Sequence, residues 1–169
     1  MSYQDSLTWE VLQGMWNEDD KNLYEVIGEI VKLMACTETS RHYTIDHIEK
    51  LIVPALLTGN ARLYYDRDDG DLTGYISYTF LRPTTEVRYI DRAGFIDDED
   101  WLTTENEGNL WIMDFIAPFG GASEMCKHTY DYLAKQYQGR RLFFRRVAQS
   151  DRINSVVLKH GAPKSATIH

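Results

Sequence analysis

The stretch Leu110-Trp-Ile-Met-Asp-Phe-Ile-Ala-Pro-Phe-Gly-Gly121 decides the fold. Leu110 to Ala117 is an apolar run of strand length with one carboxylate in it, Asp114. Pro118 ends the strand because it has no N–H to give to a ladder. Gly120 and Gly121 allow backbone geometry that bulkier residues resist, just before a helical pattern begins. A charge inside so apolar a run is costly unless it is paired or hydrogen-bonded. Asp114 therefore needs a partner. It could work with a histidine, cap the helix that follows, or pair with a core arginine.

Working outward, Ala122 to Tyr137 carries Met125, Thr129, Tyr132, Leu133 and Tyr137 in a helical stripe closed by Gly139. Leu142 to Ala148 reads as a strand. Ser150 and Asp151 are cap candidates for a last helix, Arg152 to His160, closed by Gly161. The tail from Pro163 to His169 reads as a short strand or as disorder. On the N-terminal side, Glu105 to Asn109 is a turn, and Asp97 to Trp101 begins a helix. Glu86 to Ile90 fits a strand or a helical turn. Leu72 to Phe80 is a strand in which Tyr75, Ser77 and Thr79 alternate against Ile76, Tyr78 and Phe80. An Asp-Gly turn, Asp66 to Gly70, joins it to the strand Ala61 to Tyr65.

Two helical patterns precede these strands. Glu25 to Ala35 places Val26, Ile27, Ile30, Val31, Leu33 and Met34 at helical spacing. After a polar run from Cys36 to His42, Ile45, Ile48, Leu51 and Ile52 share a second helical face ending near Pro54. Residues 1–22 are acidic and weakly patterned. Trp9, Leu12 and Trp16 suggest a short amphipathic helix on an appendage. The expected organisation is an N-terminal extension, 1–22, and one domain, 23–169. Hairpin-linked strands followed by a strand–helix–strand unit predict an α/β (α+β) fold with a mixed central sheet flanked by helices.

Composition narrows the function. A chain of 169 residues suits one domain with a real core. Its net charge is −8, yet Lys127 to Arg152 holds seven basic and two acidic residues, which leaves −13 elsewhere. An acidic chain with one basic region does not fit a general nucleic-acid binder, but that region could dock an acidic partner or simply be a solvated face. No segment reads as a membrane span or a signal peptide. Two distant cysteines, Cys36 and Cys126, read as thiols of a reducing cytoplasm. The five histidines, His42, His47, His128, His160 and His169, show no metal-ligand spacing, so no metal is expected. No nucleophile elbow or Walker-type loop is present.

What remains is a histidine and a buried aspartate. A carboxylate that orients one ring nitrogen and stabilises the imidazolium makes a general base. The Pro118–Gly121 junction adds backbone N–H groups near Asp114 that could hold an oxyanion or a phosphate.

Trp111-Ile-Met-Asp-Phe-Ile-Ala-Pro-Phe-Gly120 resembles the hallmark segment of the RTX toxin-activating lysine acyltransferases. Glu25-Val-Ile-Gly28, Val53-Pro-Ala-Leu56, Gly74-Tyr-Ile-Ser-Tyr78, Asp100-Trp101, Phe143-Phe-Arg-Arg-Val147 and His160-Gly161 agree in the same order. The resemblance spans about residues 23–164. It implies a GNAT-like acyltransferase fold and transfer of a fatty acyl group from acyl carrier protein to internal lysines of a protoxin. It also suggests a homodimer.

The family's functional pair is a His between the first two helices and the Asp of the hallmark strand. The Asp is Asp114. The family's His falls on Ser40 in an ungapped reading; a local shift assigns His42, with His47 one turn further on. His42 would take the proton a lysine ε-amine must lose before attacking a thioester. Backbone donors at Phe119, Gly120 and Gly121 would face the oxyanion. Pro118-Phe-Gly-Gly-Ala122 is a poor pyrophosphate loop, which favours acyl carrier protein over CoA as the donor, with no bound cofactor. Arg140, Arg141, Arg145 and Arg146 would then form the docking face for that acidic carrier. Two other readings stay open: an acyltransferase acting on a small amine or peptide, and a non-catalytic partner that binds an acyl chain or a target protein.

Overall fold

The computed structural model describes residues 7–10, 22–91, 96–146 and 152–159. Six strands form one sheet in the order β1-β2-β3-β4-β5-β6. They are β1 (Leu7–Glu10), β2 (Ala61–Asp66), β3 (Leu72–Leu81), β4 (Asn109–Ile116), β5 (Arg141–Arg146) and β6 (Arg152–Val157). All neighbours are antiparallel except β4 and β5, which run parallel. A parallel pair needs a crossover, and helix α5 (Ala122–Gln136) supplies it. This is the mixed α/β sheet expected from the sequence, and it is GNAT-like.

The sheet has helices on both faces. Against one face lie α1 (Leu23–Ala35), α2 (Ile45–His47), α3 (Val53–Leu57) and α4 (Pro83–Asp91). Together with the π turn Ile48–Ile52 they bury Val26, Ile30, Leu33, Ile52, Leu56 and Tyr89 with Tyr75, Leu81, Trp111 and Ile116 of the sheet. Each such side chain taken from water contributes about 1.5–3 kcal/mol. The other face carries α5, whose Met125, Leu133 and Ala134 pack on Ile76, Tyr78, Phe80, Leu110 and Leu142. Helix α1 begins in a capping box, Asn22 and Glu25 each accepting the other's backbone N–H.

Three expectations need correction. Leu7–Glu10, assigned to a helical appendage, is an edge strand paired with Leu63–Asp66, so part of the 1–22 extension belongs to the sheet. Leu12 and Trp16 lie outside the described residues. The second helix does not end at Pro54; it continues through a π turn, Ile48–Ile52, into α3. Proline leaves the carbonyl four residues back without its helical donor. That carbonyl belongs to Lys50, and the Trp101 indole N–H donates to it at 2.9 Å. Of the two readings left open for Glu86–Ile90, strand or helical turn, the helical one holds, within α4. Arg152–Val157 is a strand, not a helix: Ile153, Val156 and Val157 are β-branched, and the segment pairs along the whole of β5. Its expected cap at Ser150 and Asp151, and the tail from Pro163, lie outside the described residues.

Candidate active site

Trp111 and Ile116 both point to the α1 face, although strict alternation would set residues five apart on opposite faces. A β-bulge resolves this. Ser77 pairs with Asp114 and Tyr78 with Ile112, so Met113 is the extra residue. The bulge turns Asp114 onto the α1 face, beside Tyr75 and Ser77. There Asp114 is only 5 % exposed.

The chain between α1 and α2 delivers the partner. Turn bonds from Ser40 N–H to Thr37 and from Tyr43 N–H to Ser40 wind this segment so that residues three apart share a side. Ser40 is buried and Tyr43 half-buried, while Arg41 and His42 are exposed. The Tyr43 hydroxyl donates to Asp114 Oδ1 at 2.8 Å. Ser77 Oγ lies 3.5 Å from Oδ2 and accepts the Asp114 backbone N–H at 3.2 Å. His47 stacks on the Tyr43 ring, with centroids 4.7 Å apart and planes at 20°. Its Nδ1 accepts the Thr44 backbone N–H at 3.2 Å and lies 2.9 Å from the Thr44 hydroxyl, completing the cap of α2. That backbone bond commits the Nδ1 lone pair and assigns the proton of neutral imidazole to Nε2.

The electrostatics follow from burial. Loss of water raises the Asp114 pKa; the hydrogen bonds from Tyr43 and Ser77 and the charge of His47 oppose the rise. Burial also holds the Tyr43 phenol well above its usual range, helped by the Asp114 charge and their shared hydrogen bond. Tyr43 is thus a persistent donor, and Asp114 a stronger proton acceptor than an exposed carboxylate. Tyr75 is fully buried, and burial followed by the Asp114 charge raises its phenol too.

The expected His42–Asp114 pair does not form. His42 is exposed and makes no hydrogen bond or ion pair among the described residues. The winding of the 37–43 turn is the reason: it aims Tyr43 inward and the residue before it outward. Sequence reasoning missed Tyr43 and Ser77. A signal existed, since Tyr43 lies one helical turn after Ser40, and Ser77 is a small polar residue between Ile76 and Tyr78 of a buried strand.

The loop after β4 keeps the expected geometry. Gly120 and Gly121 have φ of 94° and 72°, which only glycine adopts without strain, and Gly121 starts the 15-residue α5. Phe119 is exposed. Past Trp111 the ladder opens: β4 and β5 pair only at Leu110–Leu142 and Trp111–Phe143. The remainder of β4, with Asp114, borders that opening.

Two of the four arginines bond within the protein. Arg145 Nη2 donates to the Ile90 carbonyl at 2.7 Å at the end of α4, with its guanidinium 5.6 Å from the Tyr89 ring. Arg141 donates to Ser155 on β6 at 3.1 Å. Arg140 is half-buried before β5, and the Arg146 backbone pairs with Arg152 at the far end of that strand. Among the described residues no group of three His, Cys, Asp or Glu side chains could hold a metal ion. No helix among them is long and apolar enough to cross a membrane.

Comparison with known proteins places the chain among relatives of one kind. The RTX-II toxin-activating lysine-acyltransferase ApxIIC of Actinobacillus pleuropneumoniae is 33% identical over 109 residues, 64% of each chain. The RTX-I toxin-activating lysine-acyltransferase ApxIC of the same organism is 27% identical over 110 residues, 65% of this chain and 61% of its own. The protein-lysine myristoyltransferase RtxC of Kingella kingae is 29% identical over 105 residues, 62% of this chain and 60% of its own. The chain thus spans somewhat under two thirds of the length of these relatives. Residues 19–157, which include the whole Asp114 site, match the RTX toxin acyltransferase family, and the chain belongs to that family.

Proposed function

We propose that this protein transfers a fatty acyl group from an acyl carrier protein thioester to the ε-amine of a lysine in a protoxin-like protein. One observation carries the reading: a family member holds the hallmark carboxylate, Asp114, at a bulge, buried and hydrogen-bonded to Tyr43, at the border of an open sheet. The opening between β4 and β5 offers backbone groups to an extended thioester arm, as an edge strand offers them to a peptide. N–H groups of Phe119, Gly120 and Gly121 are the oxyanion donors in this reading, and no resident cofactor takes part. Arg140, Arg141 and Arg146 remain for the acidic carrier, because Arg145 is engaged with α4. Of the two candidate imidazoles, His47 borders the carboxylate and His42 faces solvent.

The test is intact mass. The protein is incubated with acyl carrier protein charged with chains of several lengths and, as acceptor, either the RTX-II protoxin or an array of lysine-containing peptides. A gain of one acyl chain on an acceptor lysine supports the reading. No gain with any donor, under conditions where the RTX-II relative acylates its protoxin, overturns it. Transfer from acyl-CoA at the same rate would overturn the choice of carrier.

A further inference from the structure

We infer that Tyr43 is a catalytic residue of this chain, the group that carries the proton between the substrate amine and Asp114. The inference rests on the acyltransferase reading and adds to it a residue that the family resemblance does not supply.

Three observations lead to it. First, Asp114 is 5 % exposed, while Tyr43 is half-buried and donates to Oδ1. In this inference the phenol oxygen stands between Asp114 and the incoming lysine. Second, neither histidine is arranged as the base. His42 points to solvent, and the Nδ1 of His47 is committed to the Thr44 N–H, which places the neutral ring's proton on Nε2. Third, Tyr43 is held in place from both ends. Its hydroxyl is bound to Asp114, and its ring is stacked on His47.

A lysine enters as the neutral amine, having lost one proton to bulk water. Its nitrogen attacks the thioester carbon, a C–N bond forms, and the carbonyl electron pair moves to oxygen. The nitrogen passes a proton to Tyr43 Oη while Tyr43 passes its own to Asp114 Oδ1. The oxyanion then collapses, the C–S bond breaks, and the electron pair leaves on sulfur. The proton returns from Asp114 through Tyr43 to the thiolate. The products are an amide and the free carrier thiol, with Tyr43 and Asp114 in their starting states. His47 is a positioning residue here, aligning the phenol ring.

The groups that face Asp114 or Tyr43 and shape the pH response are His47 on α2, Tyr75 and Ser77 on β3, and Tyr89 on α4. The test is Tyr43→Phe, which keeps the ring and its stacking but removes the hydroxyl. Single-turnover transfer from acyl carrier protein is expected to fall about 100-fold, with carrier affinity unchanged. The double variant Tyr43→Phe with Asp114→Asn should lose no more than Asp114→Asn alone, because the two act as one unit. Carbon-detected NMR titration of Asp114, which needs no activity, should show its pKa rise further in Tyr43→Phe, since the lost hydrogen bond had lowered it. Transfer by Tyr43→Phe within about threefold of wild type overturns the inference and leaves the acyltransferase reading standing. Wild-type protein that transfers to no acceptor overturns both.

Discussion

Two buried aspartates in this chain are held in opposite ways. Asp100, 6 % exposed in the helical turn Asp98–Leu102, accepts from Thr85 at 2.8 Å and from the Asp97 N–H at 2.9 Å, and pairs with Arg88 at 2.6 Å. Asp114, 5 % exposed at the β4 bulge, is held by two hydroxyls, with His47 nearby. Burial costs a carboxylate its hydration, and a bonded guanidinium with fixed donors offsets that cost far better than neutral hydroxyls do. The Asp100 corner therefore joins α4 to the turn that carries Trp101. The Asp114 corner keeps a carboxylate poised to take up a proton. A charge that is fully paired serves the fold; one that is incompletely paired is available for chemistry.

The largest break in this comparison is Asp100→Ala. It should lower unfolding free energy by about 3 kcal/mol in urea titrations, because Arg88 and Thr85 lose their shared acceptor. Acyl transfer per folded molecule should be unchanged. Next, Arg145→Ala should cost about 1.5 kcal/mol by loosening the α4 end, with carrier-protein affinity in a binding titration unaffected.

Asp114→Asn should do the reverse of Asp100→Ala and raise stability by about 1 kcal/mol at neutral pH, as removing an incompletely compensated buried charge does. The sign follows from the raised pKa. The folded state holds the Asp114 proton more tightly than the unfolded chain does. Its contribution to stability is complete below the unfolded value of about 4 and is lost as pH rises through the higher folded value. The advantage of Asp114→Asn should therefore disappear in acid, which melting curves across pH would show. The smallest effect is expected of His42→Ala, with stability within about 0.5 kcal/mol of wild type, checked by the same melts, and transfer unchanged.

Much of the fold could be read from spacing. The hairpin at Asp66–Gly70, the strand–Pro–Gly–Gly–helix junction and the α5 stripe each follow from turn chemistry and periodicity. Asp114 could be read too, as a charge in an apolar run. The misreadings share a cause, a tertiary partner that overrides a local rule. Pro54 stays in a helix because the Trp101 indole takes up the Lys50 carbonyl. Arg152–Val157 is a strand because β5 offers it an edge. Tyr43 rather than His42 meets Asp114 because of a turn bonded through Thr37 and Ser40 and a bulge at Met113, and a periodicity count registers neither.

The most direct test of the division between the two aspartates is single-turnover acyl transfer by Asp114→Asn and Asp100→Ala, with folded fraction measured in the same samples. The account predicts a loss of about 10³-fold for Asp114→Asn in fully folded protein, and a wild-type rate per folded molecule for Asp100→Ala. Transfer by folded Asp114→Asn within a few-fold of wild type would contradict it.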